Sequence, residues 1–397
     1  MYVIRGSKVP ETRNIKHNNM GDSQGLSNLV PNLSLEDHIY QAEDLISLSQ
    51  GPGPRGVSPD TVRHARSSSA ASNLSINSLE PPTHRGRMEV MVTPASYHRS
   101  NSHQCSSMPA YPMFRRPRGQ ALIINIESYD NDVQERRLGT DVDVENLVEL
   151  LKGLEFDVTL KRNLALTPFF REVTEFCCNK LHAEADMAIV VILSHGHDGV
   201  VYASDGQSIN MEYIYEFFNN RNCPLLRGKP KFFIVQSCRG DRPDAGVDGL
   251  DDMETAGAQA SPSKHLSKKR KNESVDAVSQ ANADGDVAKA RPTWEDMIIA
   301  YSTIPGYASL RDHDKGTWFV QSLVEVFMTH AHDTELVDLL RMTSERLSLF
   351  TNELGEKQTC NVEMRHLYKR IYFNPGLCPP SVNSSQSSNS RDNSGFE

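Results

Sequence analysis

The sequence predicts an α/β fold with a mostly parallel central sheet flanked by helices on both faces. Three observations carry this. ALIINI (121–126), MAIVVILS (187–194), KFFIVQS (231–237) and MIIAYST (297–303) are apolar almost throughout, as strands buried on both faces are. Segments with apolar residues at helical spacing alternate with them. Polar, small-residue stretches confine the foldable part to two blocks, 117–241 and 292–376, together the size of one domain.

ALIINI opens the sheet. A polar loop follows, then TDVDVENLVELLKGL (140–154), with Thr140 as the N-cap, Asp141 and Asp143 at the positive helix end, and Val144, Leu147, Leu150, Leu151 and Leu154 on one face. FDVTLKR (156–162) is the second strand. Thr167-Pro168 starts a helix with proline at its first position, running to Leu181 with Cys177 and Cys178 at its apolar side. After MAIVVILS, Val200–Ala203 and Gln207–Ile209 form a hairpin turned at Asp205-Gly206. MEYIYEFFNN (211–220) is a helix leading to KFFIVQS. Beyond a long polar gap come MIIAYST, the helices TWFVQSLVEVFMTHA (317–331) and TELVDLLRMTSERLSLF (334–350), and HLYKRIYF (366–373) as the final strand.

Residues 1–116 are rich in Ser, Asn, Pro and Arg; 242–291 and 377–397 are equally polar. Such composition cannot bury enough apolar surface to offset chain entropy, so all three are expected to be disordered. A net charge of −9, spread out, leaves no nucleic-acid footprint. Seven irregularly spaced cysteines form neither a disulfide framework nor a zinc pattern, and no metal or other cofactor is called for. MYVIRGSKVP lacks the apolar core of a signal peptide, and no apolar run is long enough to span a bilayer. A soluble, cytoplasmic protein is expected.

In parallel sheets, ligands sit beyond the carboxyl ends of the strands. Two strands deliver reactive side chains there: His195 in SHGHDG follows MAIVVIL, and Cys238 follows KFFIVQS, where a charged, glycine-containing turn begins. A thiol is a weak nucleophile until a base takes its proton, and an imidazole can take it and return it to a leaving amine. Gly196 and Cys238 supply backbone N–H groups for a developing oxyanion. Each residue alone reads more simply as a structural His or a small buried Cys; the pair at one sheet edge favours chemistry.

QSCRG, 43 residues downstream of His195 in SHGHDG, resembles the caspase signature of cysteine and upstream histidine. RLGTDVDVENL, YSTIPGYASLRDHDKGTWFVQSLVEVF and the terminal strand are similar to further caspase blocks, in that family's order, and VEVFMTHAHDTELVDLL is most like the nematode cell-death caspases. The resemblance implies a cysteine endopeptidase cutting after aspartate in apoptosis or related limited proteolysis. Cys238 would be the nucleophile, His195 the general acid/base, Gly196 and Cys238 the oxyanion hole. Arg137, Gln236 and Arg311 would hold the P1 carboxylate, where guanidinium forks suit a bidentate anion. A backbone carbonyl before Arg137 would orient the imidazole.

Ser309, Leu310 and Ala308 would line the rest of the substrate cleft. Two departures stand out. Ser237 occupies the usual alanine position, and Leu310 and Ala308 stand where many caspases carry aromatics, which implies a wider S2 pocket. The alternative is therefore a weak or inactive homologue that regulates an active caspase by pairing with it.

The resemblance also implies a zymogen cut between subunits: a prodomain (1–116), a large subunit (117–241), a processing linker (242–291), a small subunit (292–376) and a tail (377–397). Cleavage is expected after Asp248, Asp252, Asp276 or Asp284, with Asp276 and Asp248 ranked first because Ala and Gly follow them. Partners would be protein substrates, a second copy in a dimer of large–small heterodimers, and an activating adaptor or inhibitor, with no nucleic acid and no membrane. KKRK (268–271) resembles a nuclear address for the unprocessed chain, or is a charge cluster that keeps the linker solvated.

Overall fold

The structure, a computed structural model, describes residues 86–99, 108–247 and 291–377. Six strands form the central sheet: β1 (Gly119–Asn125), β2 (Phe156–Arg162), β3 (Met187–Leu193), β7 (Lys231–Gln236), β8 (Met297–Tyr301) and β11 (Asn361–Arg365). Their order is β11-β8-β7-β3-β1-β2, parallel except for the β11–β8 pair. Every residue of β1, β3, β7 and β8 is buried, which is why these strands read as unbroken apolar runs. Their side chains alternate between two cores. Ala121 and Ile123 join the core under the helices α1 (Thr140–Gly153), α4 (Trp318–His330) and α5 (Leu336–Ser348). Leu122 and Ile124 join the core under α2 (Leu166–Cys177) and α3 (Met211–Phe217). Burying each of these leucine and isoleucine side chains contributes about 1.5–3 kcal/mol. A small antiparallel sheet, β4 (Gly196–His197), β5 (Val200–Tyr202) and β6 (Ser208–Asn210), follows β3, with Gly206 at φ +79° in the expected turn. The hairpin β9 (Arg311–Asp312)–β10 (Gly316–Thr317) precedes α4.

Several expectations are corrected. The final strand is Asn361–Arg365, not HLYKRIYF; His366 turns the chain at φ +47°. Residues 366–373 carry apolar alternation because Ile371 and Phe373 enter the core, while their backbone pairs with 109–111 through Arg370. Gly139 at φ +83° takes the N-cap position of α1, and the Thr140 hydroxyl bonds Asn125 and Arg137 instead. The second helix begins at Leu166, placing Pro168 third, and stops at Cys177; Lys180–Glu184 is a separate 3₁₀ turn. The third helix ends at Phe217.

Packed structure also reaches outside the two blocks drawn from composition. Tyr111 and Met113 lie in the core, and residues 86–99 lie along α1 and α4. The first residues after 241 are held too, with Ala308 donating to the Arg242 carbonyl and Lys357 to that of Asp244 at 2.8 Å each. The buried Arg118 explains part of this, because its guanidinium donates to the carbonyls of Met113 and Asn374, joining both ends of the domain. Asp248, Asp252, Asp276, Asp284 and KKRK lie outside the described residues. Among the described residues, no helix is long and apolar enough to cross a membrane.

Candidate active site

The site grows from the register of two central strands. Leu193 of β3 lies beside Gln236 of β7, and the Ser194 N–H donates to the Gln236 carbonyl at 3.1 Å. Both strands then end, so His195–Gly196 and Ser237–Cys238 leave the sheet side by side. How closely they pass is set by Gly196. A Cβ there would sit 2.9 Å from both the Cys238 carbonyl oxygen and the Ser237 Cβ, and 2.6 Å from the Val200 carbonyl oxygen. Only glycine lets these backbones approach so nearly.

His195 is fixed from two directions. Its backbone N–H donates to the Tyr129 hydroxyl at 2.9 Å, and its Nε2 lies 2.8 Å from the Glu135 carbonyl oxygen. A carbonyl only accepts, so Nε2 carries the proton and Nδ1 keeps the lone pair. Burial holds the imidazole below its usual pKa, reinforced by the cations Arg137 and Arg311, while the Glu135 contact opposes them. The neutral, basic form therefore prevails near pH 7. The Cys238 Sγ accepts the Ser309 N–H at 3.3 Å.

The two arginines approach from opposite sides of the linker. Arg137 is 2% exposed and donates through Nη1 to the Ile126 carbonyl at 3.0 Å, to the Thr140 hydroxyl at 3.1 Å and to Asn125 Oδ1 at 3.3 Å. Burial, then repulsion from Arg311, lowers its pKa to about 10, so it remains charged at neutral pH. Burial likewise lowers Arg311, whose Nε is buried without a hydrogen-bond partner. Their shared counter-charge is Asp143, pushed up to about 7 by burial despite both guanidiniums and the Thr317 N–H. Gln236 donates through Nε2 to the Ser309 hydroxyl at 2.8 Å.

Cys238, His195, Gly196, Arg137, Gln236, Ser309 and Arg311 are thus gathered at one sheet edge. Leu310 is near them but packs against the core, and Ala308 pairs its backbone with Arg242. Ser237 is buried, its backbone bracketed by the Ser302 hydroxyl. Trp318 is a core residue against Phe350. Sequence reasoning missed Tyr129, Asn125 and Gln358. Gln358 accepts the Leu310 N–H at 2.6 Å and donates to the Ser302 carbonyl at 2.8 Å. No local pattern marks it, although Asn125 was visible as a polar residue ending an apolar strand.

The profile of the Caspase domain family matches residues 118–372. The chain belongs to the caspase family. It is 34% identical to Caspase drICE of Drosophila melanogaster over 241 residues, 60% of this chain and 62% of that one. It is also 34% identical to Cell death protein 3 of Caenorhabditis remanei over 269 residues, 67% of this chain and 52% of that one. The match thus spans less than two thirds of these relatives' own length. The crystal structure of Caspase-1 from Spodoptera frugiperda superposes with a TM-score of 0.56 at 27% identity, covering 70% of this chain and 97% of the other. As in that caspase fold, helices flank a mostly parallel sheet.

Proposed function

We propose that this caspase-family chain is a cysteine endopeptidase that cleaves proteins after aspartate. The observation that carries the reading is the convergence of His195, Cys238, the buried Arg137 and the half-buried Arg311 where β3 and β7 end. In this mechanism His195 Nδ1 takes the Cys238 thiol proton as sulfur attacks the scissile carbonyl. The N–H groups of Gly196 and Cys238 stabilise the oxyanion; removing one such donor in comparable sites costs about 10²–10³ in kcat. His195 then returns the proton to the leaving amine, and water, activated by the same imidazole, releases the acyl group from sulfur. Arg137 and Arg311, with Gln236, hold the P1 carboxylate, and the burial of the guanidiniums strengthens their hold. Ala308 and Leu310 leave the S2 wall without an aromatic ring.

The chain is made as a zymogen and matures by cleavage in the linker, with Asp276 and Asp248 the leading sites and Asp252 and Asp284 the others. It acts in apoptosis or related limited proteolysis, as the names of its relatives support. It pairs as a dimer of large–small heterodimers; β11 is an edge strand with Met364 53% exposed, which supports an edge-to-edge pairing. It works in the cytoplasm, and KKRK directs the unprocessed form to the nucleus until cleavage excises it.

The test is to incubate matured protein with paired peptides differing only in Asp or Asn at P1, and with an aspartyl chloromethyl ketone. Cleavage of the Asp peptide and adduct mass on Cys238 are expected. Matured protein that cleaves neither peptide and takes no label overturns the reading.

A further inference from the structure

Residues 86–99 belong to a stretch whose composition predicts no packed structure, yet they form an extended arm along the outside of the domain. Met88, Val90 and Val92 face the core while Glu89, Met91 and Thr93 face solvent, the period of an extended chain. The arm is bonded toward both of its ends. The Met88 N–H donates to Asn146 Oδ1 of α1 at 3.2 Å, and Arg87 pairs with Glu145 of α1 at 3.6 Å. Thr93 donates to the Met328 carbonyl of α4, and Ala95 to that of Pro375, at 2.8 Å each. Gly153, the last residue of α1, leaves room for Val92; a Cβ there would sit 2.5 Å from its Cγ2.

The other end of the arm meets the substrate side. Gly86, at φ +92°, lies so close to the Asp314 carbonyl that a Cβ would overlap it. Asp314 is at the tip of the β9–β10 hairpin, whose two-residue strands pair Thr317 with Arg311. Strands this short hold little on their own. The hairpin is gripped from within, where Gly139 abuts the Asp312 and His313 carbonyls and Asp143 accepts the Thr317 N–H. Gly86 touches it from outside.

The sequence adds an independent point. Aspartates occur at 22, 37, 44 and 60, and the next is Asp130; none lies between 61 and 129. A protease cutting only after aspartate cannot detach this arm from its own large subunit.

We propose that residues 86–99 are a permanent part of the substrate-binding apparatus: an arm that braces the Arg311 hairpin from outside and stays attached through maturation. The proposal rests on the aspartate-directed reading above. Its role is positioning, because it touches the hairpin and not the substrate.

Two measurements test it on the full chain. First, intact-mass spectrometry of protein matured by its own activity, beside a Cys238→Ala control that stays uncut, is expected to find the large subunit starting at Thr61 or upstream. A start between Gly86 and Pro117 overturns retention. Second, Gly86→Val forces the arm's end off Asp314, and Val90→Asp with Val92→Asp undocks the whole arm. Each is expected to raise KM for an Asp peptide about tenfold with kcat within about twofold, the effect of misplacing a binding group. Alkylation of Cys238 by iodoacetamide, which does not use the arginines, stays at the wild-type rate. Where the double variant fails to fold, Gly86→Val alone decides, since it leaves the apolar contacts intact. A lower Tm with wild-type KM overturns the bracing role and leaves the arm a stabiliser. Wild-type protein inert to Asp peptides sinks the aspartate-directed reading and this proposal together; active wild-type protein with indifferent variants sinks the arm alone.

Discussion

Asp143 of α1 accepts the backbone N–H of Thr317 of β10 at 2.8 Å, and both residues are buried. The bond crosses from one side of the linker to the other and fastens the hairpin carrying Arg311 beside the loop carrying Arg137. The Asp143 carboxylate has no other hydrogen bond for Oδ2, and two guanidiniums balance its charge.

Asp143→Asn keeps an acceptor for Thr317 and removes the ionisation. Because burial pushes the Asp143 pKa up to about 7, the folded protein holds its proton more tightly than the unfolded chain does. That contribution is complete below pH ~4 and is lost as pH rises to ~7. Relative to Asp143→Asn, the wild type should therefore lose stability between those limits, with the gap constant above. Thermal unfolding across pH 4–9 measures it; a gap independent of pH contradicts the buried carboxyl's assignment.

The imidazole makes a second pH prediction. Burial and the two arginines hold His195 below its ordinary pKa, so the base form persists in mild acid. The acid limb of kcat/KM for an Asp peptide should fall with its midpoint under ~6.5. A midpoint above that value would mean that an anion, not these cations, dominates the field at His195.

For the carboxylate slot, Arg311→Ala should lower kcat/KM for an Asp peptide by about 30- to 5,000-fold, since truncating one side of a desolvated charge pair costs about 2–5 kcal/mol. Arg311→Lys keeps the charge but not the planar fork and should fall between wild type and Ala. Steady-state kinetics with Asp and Asn peptides check both, and an unchanged Asp preference in Arg311→Ala removes Arg311 from the slot.

Gly196→Ala inserts a methyl group where the Cys238 carbonyl oxygen and Ser237 Cβ are each 2.9 Å away. It should cut kcat about 10²–10³-fold by pushing the oxyanion donor aside, while the far-ultraviolet circular dichroism stays native. Wild-type turnover in this variant would show that the strand ends need not pass so closely.

Much of the site was legible because parallel strands announce themselves as apolar runs, and the residue ending such a run must face the ligand edge. His195 and Cys238 were picked out as candidates that way, with Gly196 beside the histidine, while Arg137, Gln236 and Arg311 came only from the resemblance to caspase blocks. The failures share a cause. HLYKRIYF alternates like a strand because Ile371 and Phe373 enter the core, but alternation does not say which backbone it pairs with. Thr140 looked like a helix cap, yet its hydroxyl was claimed by Asn125, fifteen residues earlier in the chain. The arm at 86–99 went unseen because three half-buried apolar side chains in a polar stretch make a weak signal until α1 and α4 offer a surface.

By itself, then, the order of residues determined the α/β class, the two strand-end reactive groups and the polar gap between the blocks. These depend on local periodicity and on side chains close in sequence. Only the tertiary structure decided that β3 and β7 are neighbours in a register setting His195 beside Cys238. It alone decided that Asp143 spans the linker to Thr317, that Tyr129 holds the His195 backbone, and that Glu135 is the residue whose carbonyl, expected before Arg137, meets the imidazole. Those pairings join residues far apart along the chain, and which of the many possible partners meet is settled by packing the whole core, not by any one segment's preference.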